Sequence, residues 1–128
     1  MKLLLDTHAF IWWDSEPVRL SSRALALCQD SENMLLLSVA STWEMQIKLQ
    51  IGKLKLGLAL AELIENQQRI NSLEILPIGL EHVLALDQLP PIHKDPFDRL
   101  LVAQASVERA SLVTNDPVMA NHPVNVIW

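Results

Sequence analysis

The 128-residue sequence has one cysteine, three scattered glycines and no long apolar run. Each scarcity excludes something. A lone Cys28 cannot close an internal disulfide, which favours a reducing, cytoplasmic setting and the role of a small core hydrophobe for the thiol. No apolar segment reaches the ~18 residues of a membrane span, because charges and amides keep interrupting. The opening Met1-Lys2-Leu3-Leu4-Leu5 meets Asp6 at once, so it lacks the apolar length of a secretory signal. Positive charge is scarce too: 10 Lys and Arg against 15 Asp and Glu give a formal net charge of −5. A protein that grips polyanions by charge alone usually carries a basic footprint. One that recruits metal cations first escapes that objection, since cations reverse the local sign.

What is present is apolar bulk. Hydrophobic residues make up 50% of the chain and charged ones only 20%, which excludes disorder, and the length fits a single domain over residues 1–128. Short apolar runs at residues 2–5, 34–37, 73–78 and 111–114 read as buried strands, and a fifth at 124–128 closes the chain. Continuous rather than alternating apolarity is the mark of parallel strands covered on both faces.

Helical patterns lie between these runs. Ser21 and Ser22 precede a capped helix over residues 23–29. From Val39 the row Val39, Trp43, Ile47, Ile51 repeats every four residues, an apolar helical stripe that predicts a buried face and ends near Gly52. Residues 58–70 predict an amphipathic helix and residues 80–86 a short one. Asp95-Pro96 reads as a cap followed by proline in the first helical position, opening a helix to about residue 109. Alternating strands and helices predict an α/β domain with a parallel sheet and right-handed crossovers.

In such a sheet, ligands gather beyond the carboxyl ends of the strands. Asp6 follows the first run and Asp116 follows Leu112-Val113-Thr114, so both reach that edge. Either alone could simply cap the turn it begins. Glu44 lies on the helix after the second strand, bordering its buried face; capping-box spacing from Ser41 and an ion pair with Lys48 are its bland alternatives. Asp98 shares a helical face with Leu101, Val102 and Ala105, a costly place for an acid unless a metal or the helix N-terminus compensates it. Asp95 has the natural role of an N-cap. Acids converging on one edge repel one another unless cations bind. All-oxygen ligands, without a histidine or cysteine cluster, select Mg²⁺ or Mn²⁺ over zinc.

Four blocks in order carry a resemblance: Leu4-Leu5-Asp6-Thr7-His8, Ser41-Thr42-Trp43-Glu44-Met45-Gln46-Ile47-Lys48, a segment from His93 through Asp95-Pro96-Phe97-Asp98 to Ala105, and Leu112-Val113-Thr114-Asn115-Asp116. Across essentially the whole chain the sequence resembles the PIN-domain toxins of the VapC family. The resemblance implies a three-layer α/β/α sandwich with a central sheet of four to five strands. It also implies an Mg²⁺- or Mn²⁺-dependent endoribonuclease and a cognate antitoxin, while the Trp12-Trp13 pair and the two amphipathic helices leave apolar surface for a partner helix or a homodimer. Catalytic and metal-ligating roles pass to Asp6, Glu44, Asp98 and Asp116.

Neighbouring residues have two readings each. Thr7, Ser38, Thr114 and Asn115 could orient an acid or serve as turns and caps. His8 and His93 could touch substrate, and Lys94 and Arg99 could hold RNA phosphates or remain solvated. Trp12, Trp13, Trp43 and Trp128 fit core or interface better than base stacking. A phosphatase pattern fails because His8 stands where its second aspartate belongs. A structure-specific DNA nuclease and a non-catalytic acidic binding module are the remaining rivals.

Overall fold

The computed structural model describes residues 1–91 and 95–128. A five-stranded parallel sheet forms its centre, in the order β3-β2-β1-β4-β5. The strands are β1 Lys2–Leu5, β2 Met34–Ser38, β3 Glu74–Leu76, β4 Ser111–Val113 and β5 Val126–Ile127. Consecutive leucines divide between the two faces because successive strand side chains point opposite ways. Leu3, Leu5, Leu35 and Leu37 pack with Phe10, Ala24, Met45 and Leu63. Leu4, Leu36 and Leu112 face the other way, against Leu101, Val102, Ala105 and Met119. Helices therefore cover both faces, giving the expected α/β/α sandwich.

On the first face lie α1 Thr7–Ser15, α2 Ser22–Gln29, α3 Val39–Gln50 and α4 Leu60–Asn71. On the second, α6 Pro96–Glu108 packs against the sheet, with α5 Leu80–Ala85 beside it. Helix starts follow local chemistry. Ser21 accepts from the Ala24 N–H to begin α2, and Ser38 from the Ala40 N–H to begin α3. Asp95 caps α6 with Pro96 in the first turn, as its sequence predicts.

Three differences have physical causes. The outer strands are shorter than their apolar runs, because β3 and β5 each pair on one side only. Helix α1 is absent from the sequence expectation, since apolar residues surround it and blur its period. Finally, the row Val39, Trp43, Ile47, Ile51 is not the buried face of α3. Trp43 is 60% and Ile51 59% exposed, whereas Ala40, Ser41 and Met45 are buried. The helix packs between α1, α6 and β2, and small residues permit close approach there better than tryptophan. No helix among the described residues is long and apolar enough to cross a membrane.

Candidate functional site

Strand order reverses at β1, which lies between β2 and β4, so the crevice beyond the ends of β1 and β4 is the topological switch point. Asp6 leaves the end of β1 and Asp116 follows the end of β4. Asp6 also caps α1, its Oδ1 accepting from the Ala9 N–H at 2.7 Å. The side chain is buried, at 7% exposure. Burial pushes its carboxyl above the ordinary aspartate range; the Thr114 hydroxyl, the Ala9 N–H and His8 oppose the rise, while Asp116 adds to it. Thr114 thus bonds Asp6 and also accepts from the Asp116 N–H at 3.1 Å. Asp116 Oδ1 in turn accepts from the Val118 N–H at 3.0 Å.

Glu44 joins this edge through α1. The Thr7 hydroxyl donates to Glu44 Oε1 at 2.5 Å, and Lys48 Nζ lies 3.1 Å from Oε2. The Glu44 side chain is 13% exposed, and Ser38 rather than Ser41 caps its helix. Ser41 Oγ is buried and has no hydrogen-bond partner among the described residues.

Asp98 reaches the same edge by a different route. Helix α6 precedes β4 as a crossover, so its first turn lies where the strands end. Phe97 packs edge-on against Trp43, centroids 5.2 Å apart, which pins the start of α6 to α3 one residue before Asp98 and Glu44. Asp95 Oδ1 caps the Phe97 and Asp98 N–H groups at 2.9 and 3.4 Å. The N-termini of α1, α3 and α6 all meet at this edge and offset its negative charge.

The remaining candidates separate. Ser38 donates to the Gln104 side chain, a buried link between β2 and α6. Arg99 donates to the Pro90 and Leu86 carbonyls, which makes it a brace for the preceding loop. Asn115 and His8 are exposed. Trp12, Trp13 and Trp128 pack along the first core, whereas Trp43 is exposed. His93 and Lys94 lie outside the described residues. Thr7 and Thr114, which could orient an acid or serve as turns, each have a carboxylate partner, Glu44 and Asp6 respectively.

Among the described residues, Glu81, His82 and Glu108 bring three potential ligand atoms within 4.8 Å of one another. Of the three only His82 is buried, and the cluster reads as a latch between α5 and α6. His82 Nδ1 accepts from the Gly79 N–H at 2.9 Å, which leaves the ring proton on Nε2, 2.9 Å from Glu108. A metal on Nε2 would require an imidazolate. Glu108 also lies 3.9 Å from Lys2 Nζ, at the amino end of β1 and away from the acidic edge. Among the described residues, Asp6, Glu44, Asp98 and Asp116 do not meet that spacing in threes. Burial together with the Asp116 charge raises the Asp6 carboxyl, which a positive neighbour would relieve.

The sequence matches the PIN domain over residues 3–124. Ribonuclease VapC22 from Mycobacterium tuberculosis is 28% identical over 121 residues, which cover 94% of this chain and 91% of that protein. The fold is similar to that of VapBC2 from Rickettsia felis bound to a DNA fragment from its promoter, with a TM-score of 0.73 at 17% identity over 99% of this chain and 98% of the other. It is also similar to FitAcB from Neisseria gonorrhoeae, with a TM-score of 0.60 at 18% identity over 98% and 96% of the two chains.

Proposed function

This chain belongs to the PIN-domain family, and from that premise we propose that it is an Mg²⁺- or Mn²⁺-dependent endoribonuclease, the toxin of a toxin-antitoxin pair. The observation that carries the reading is the network Asp116–Thr114–Asp6 at the switch point, with Glu44 brought alongside by Thr7. The ribonuclease name of the Mycobacterium tuberculosis relative supports the substrate class. Asp6, Glu44, Asp98 and Asp116 would hold the cation. When bound, it would supply an activated water and stabilise the leaving oxygen of a cut phosphodiester.

The chain's own residues prepare that chemistry. The Ala9 N–H and the Thr114 hydroxyl fix Asp6 in one orientation. Thr7 and Lys48 hold one Glu44 oxygen each. Gln104 ties α6, and with it Asp98, to the end of β2.

The solved VapBC assemblies support an antitoxin partner, and the lone buried Cys28 supports a reducing, cytoplasmic setting. An arginine or lysine from it, reaching Asp6 and Asp116, would neutralise the acids and block the substrate phosphate. The exposed row Val39, Trp43 and Ile51 on α3 supports burial in a homodimer or against the antitoxin.

The test is cleavage of a mixed RNA pool, with duplex DNA in parallel. RNA cleavage that requires Mn²⁺ or Mg²⁺ and stops with EDTA is expected. Cleavage confined to DNA would replace the reading with a DNA nuclease. No metal-dependent cleavage of either would leave an acidic binding module.

A further inference from the structure

Beside the acidic edge, on the first face, lies a cleft of about 430 Å³. His8, Ile11, Trp12, Glu16 and Arg19 form one wall, and Lys48, Lys53, Leu54 and Lys55 the other. Four cations and one acid line it in a chain of net charge −5; Arg19 lies 3.7 Å from Glu16, and Lys48 3.1 Å from Glu44. Lys48, Lys53 and Lys55 fall within eight residues, and Arg19 joins them from the segment after α1.

The end of α3 explains the lysine wall. Gly52 adopts φ +77, a left-handed conformation that favours glycine. The Lys53 N–H then returns to the Lys48 carbonyl at 2.8 Å, and the Gly52 N–H to the Leu49 carbonyl at 3.3 Å. This paired closure is a Schellman motif. It fixes the direction in which residues 53–55 leave the helix and sets Lys53 and Lys55 along the cleft. On the opposite wall, the Arg19 guanidinium carbon lies 4.5 Å over the Trp12 ring, while the Arg19 side chain is 53% exposed. Trp12 is wedged in turn by Trp128, 5.9 Å away. A cation therefore sits over a supported aromatic ring and stays open to solvent, an arrangement against which a base can stack.

We infer that this cleft binds single-stranded RNA flanking the cut bond, with Lys53 and Lys55 on backbone phosphates and the Arg19–Trp12 stack against a base. Continuity with the acids favours RNA over an acidic peptide. Lys48 lines the cleft and also contacts Glu44 at 3.1 Å, and His8 stands two residues after Asp6 on α1. A strand entering here would pass from cations directly onto the carboxylate edge. The inference rests on the ribonuclease reading and adds to it where the substrate lies.

The probe is a fluorescently labelled single-stranded RNA of about twelve nucleotides and mixed sequence, bound in EDTA across a range of salt. A separate Mn²⁺ assay reads kcat and KM. Lys53 and Lys55 are exposed, so the double variant Lys53→Gln/Lys55→Gln should keep the wild-type melting temperature. Binding should weaken about tenfold at low salt, and the log–log salt slope should fall by about 0.7 for each lysine removed. KM should rise with kcat nearly unchanged, Arg19→Gln should weaken binding with little change in slope, and Lys53→Arg/Lys55→Arg should restore both affinity and slope. Wild-type cleavage alongside unchanged RNA affinity and slope in the glutamine variant overturns the cleft alone. So does a variant that loses affinity for the antitoxin but not for RNA. A wild type that neither binds nor cuts RNA overturns the ribonuclease reading, and the cleft with it.

Discussion

Thr7 donates its hydroxyl to Glu44 Oε1 across 2.5 Å, joining the first turn of α1 to the middle of α3. Thr7 is buried, and Asp6 precedes it, so one short segment orients two of the candidate acids. Thr7→Val keeps the shape and removes the donor, leaving Glu44 to Lys48. A hydrogen bond to a charged group contributes about 1.5–3 kcal/mol. Cleavage should fall at least about tenfold, and Thr7→Ser should retain most of it. Equal rates for Val and wild type would show that Glu44 needs no such positioning.

Asp95 and Asp98 should respond differently to serine. Serine caps helices well, so Asp95→Ser should retain fold and most activity, whereas Asp95→Ala should lose about 1 kcal/mol of stability by denaturant melting. Asp98→Ser should lose activity with the melting midpoint little changed. If Asp95→Ser is as inactive as Asp98→Ser, Asp95 belongs to the catalytic set.

Asp6 sets a pH dependence in metal-free protein. Its folded carboxyl titrates above the ordinary aspartate value because of burial, so between those two values the folded state binds more protons than the unfolded one. Stability therefore falls as pH rises through that window, and the cost persists at neutral pH. Asp6→Asn removes the charge and keeps a capping side chain. It should melt higher than wild type at neutral pH without metal and lose this part of the pH dependence. Added Mn²⁺ should stabilise wild type more than the variant. Parallel pH profiles for the two proteins would refute the buried-charge account of Asp6.

The antitoxin should compete with the cation. If a basic side chain of the partner occupies the space between Asp6 and Asp116, antitoxin affinity should weaken as Mn²⁺ rises, and Asp116→Asn should weaken it without metal. Affinity indifferent to both would place inhibition elsewhere on the surface.

Much of this was legible in the sequence because the strands are continuous leucine runs and the helix starts carry strong caps. Ser21, Ser38 and Asp95 cap the helices that they precede. Asp6 and Asp116 were legible as a pair because strand-end acids in a parallel sheet share an edge whatever their separation. Helix α1 was not, since Ala9, Phe10, Ile11, Trp12 and Trp13 carry no polar break to reveal a period. The α3 stripe misled because periodicity reports an apolar face without saying what covers it, and here Ala40, Ser41 and Met45 are buried instead. The cleft was not legible: Arg19 meets Lys48, Lys53 and Lys55 only through the α3 cap and the packing of α1.

The central claim is that Asp6, Glu44, Asp98 and Asp116 act as one metal-dependent site. The most direct measurement is Mn²⁺-dependent cleavage of a single RNA by wild type and by Asp6→Asn, Glu44→Gln, Asp98→Asn and Asp116→Asn, each first shown to be folded by its melting transition. The account predicts that all four variants lose cleavage by at least about a hundredfold while remaining folded. Full activity in any two of them would contradict it.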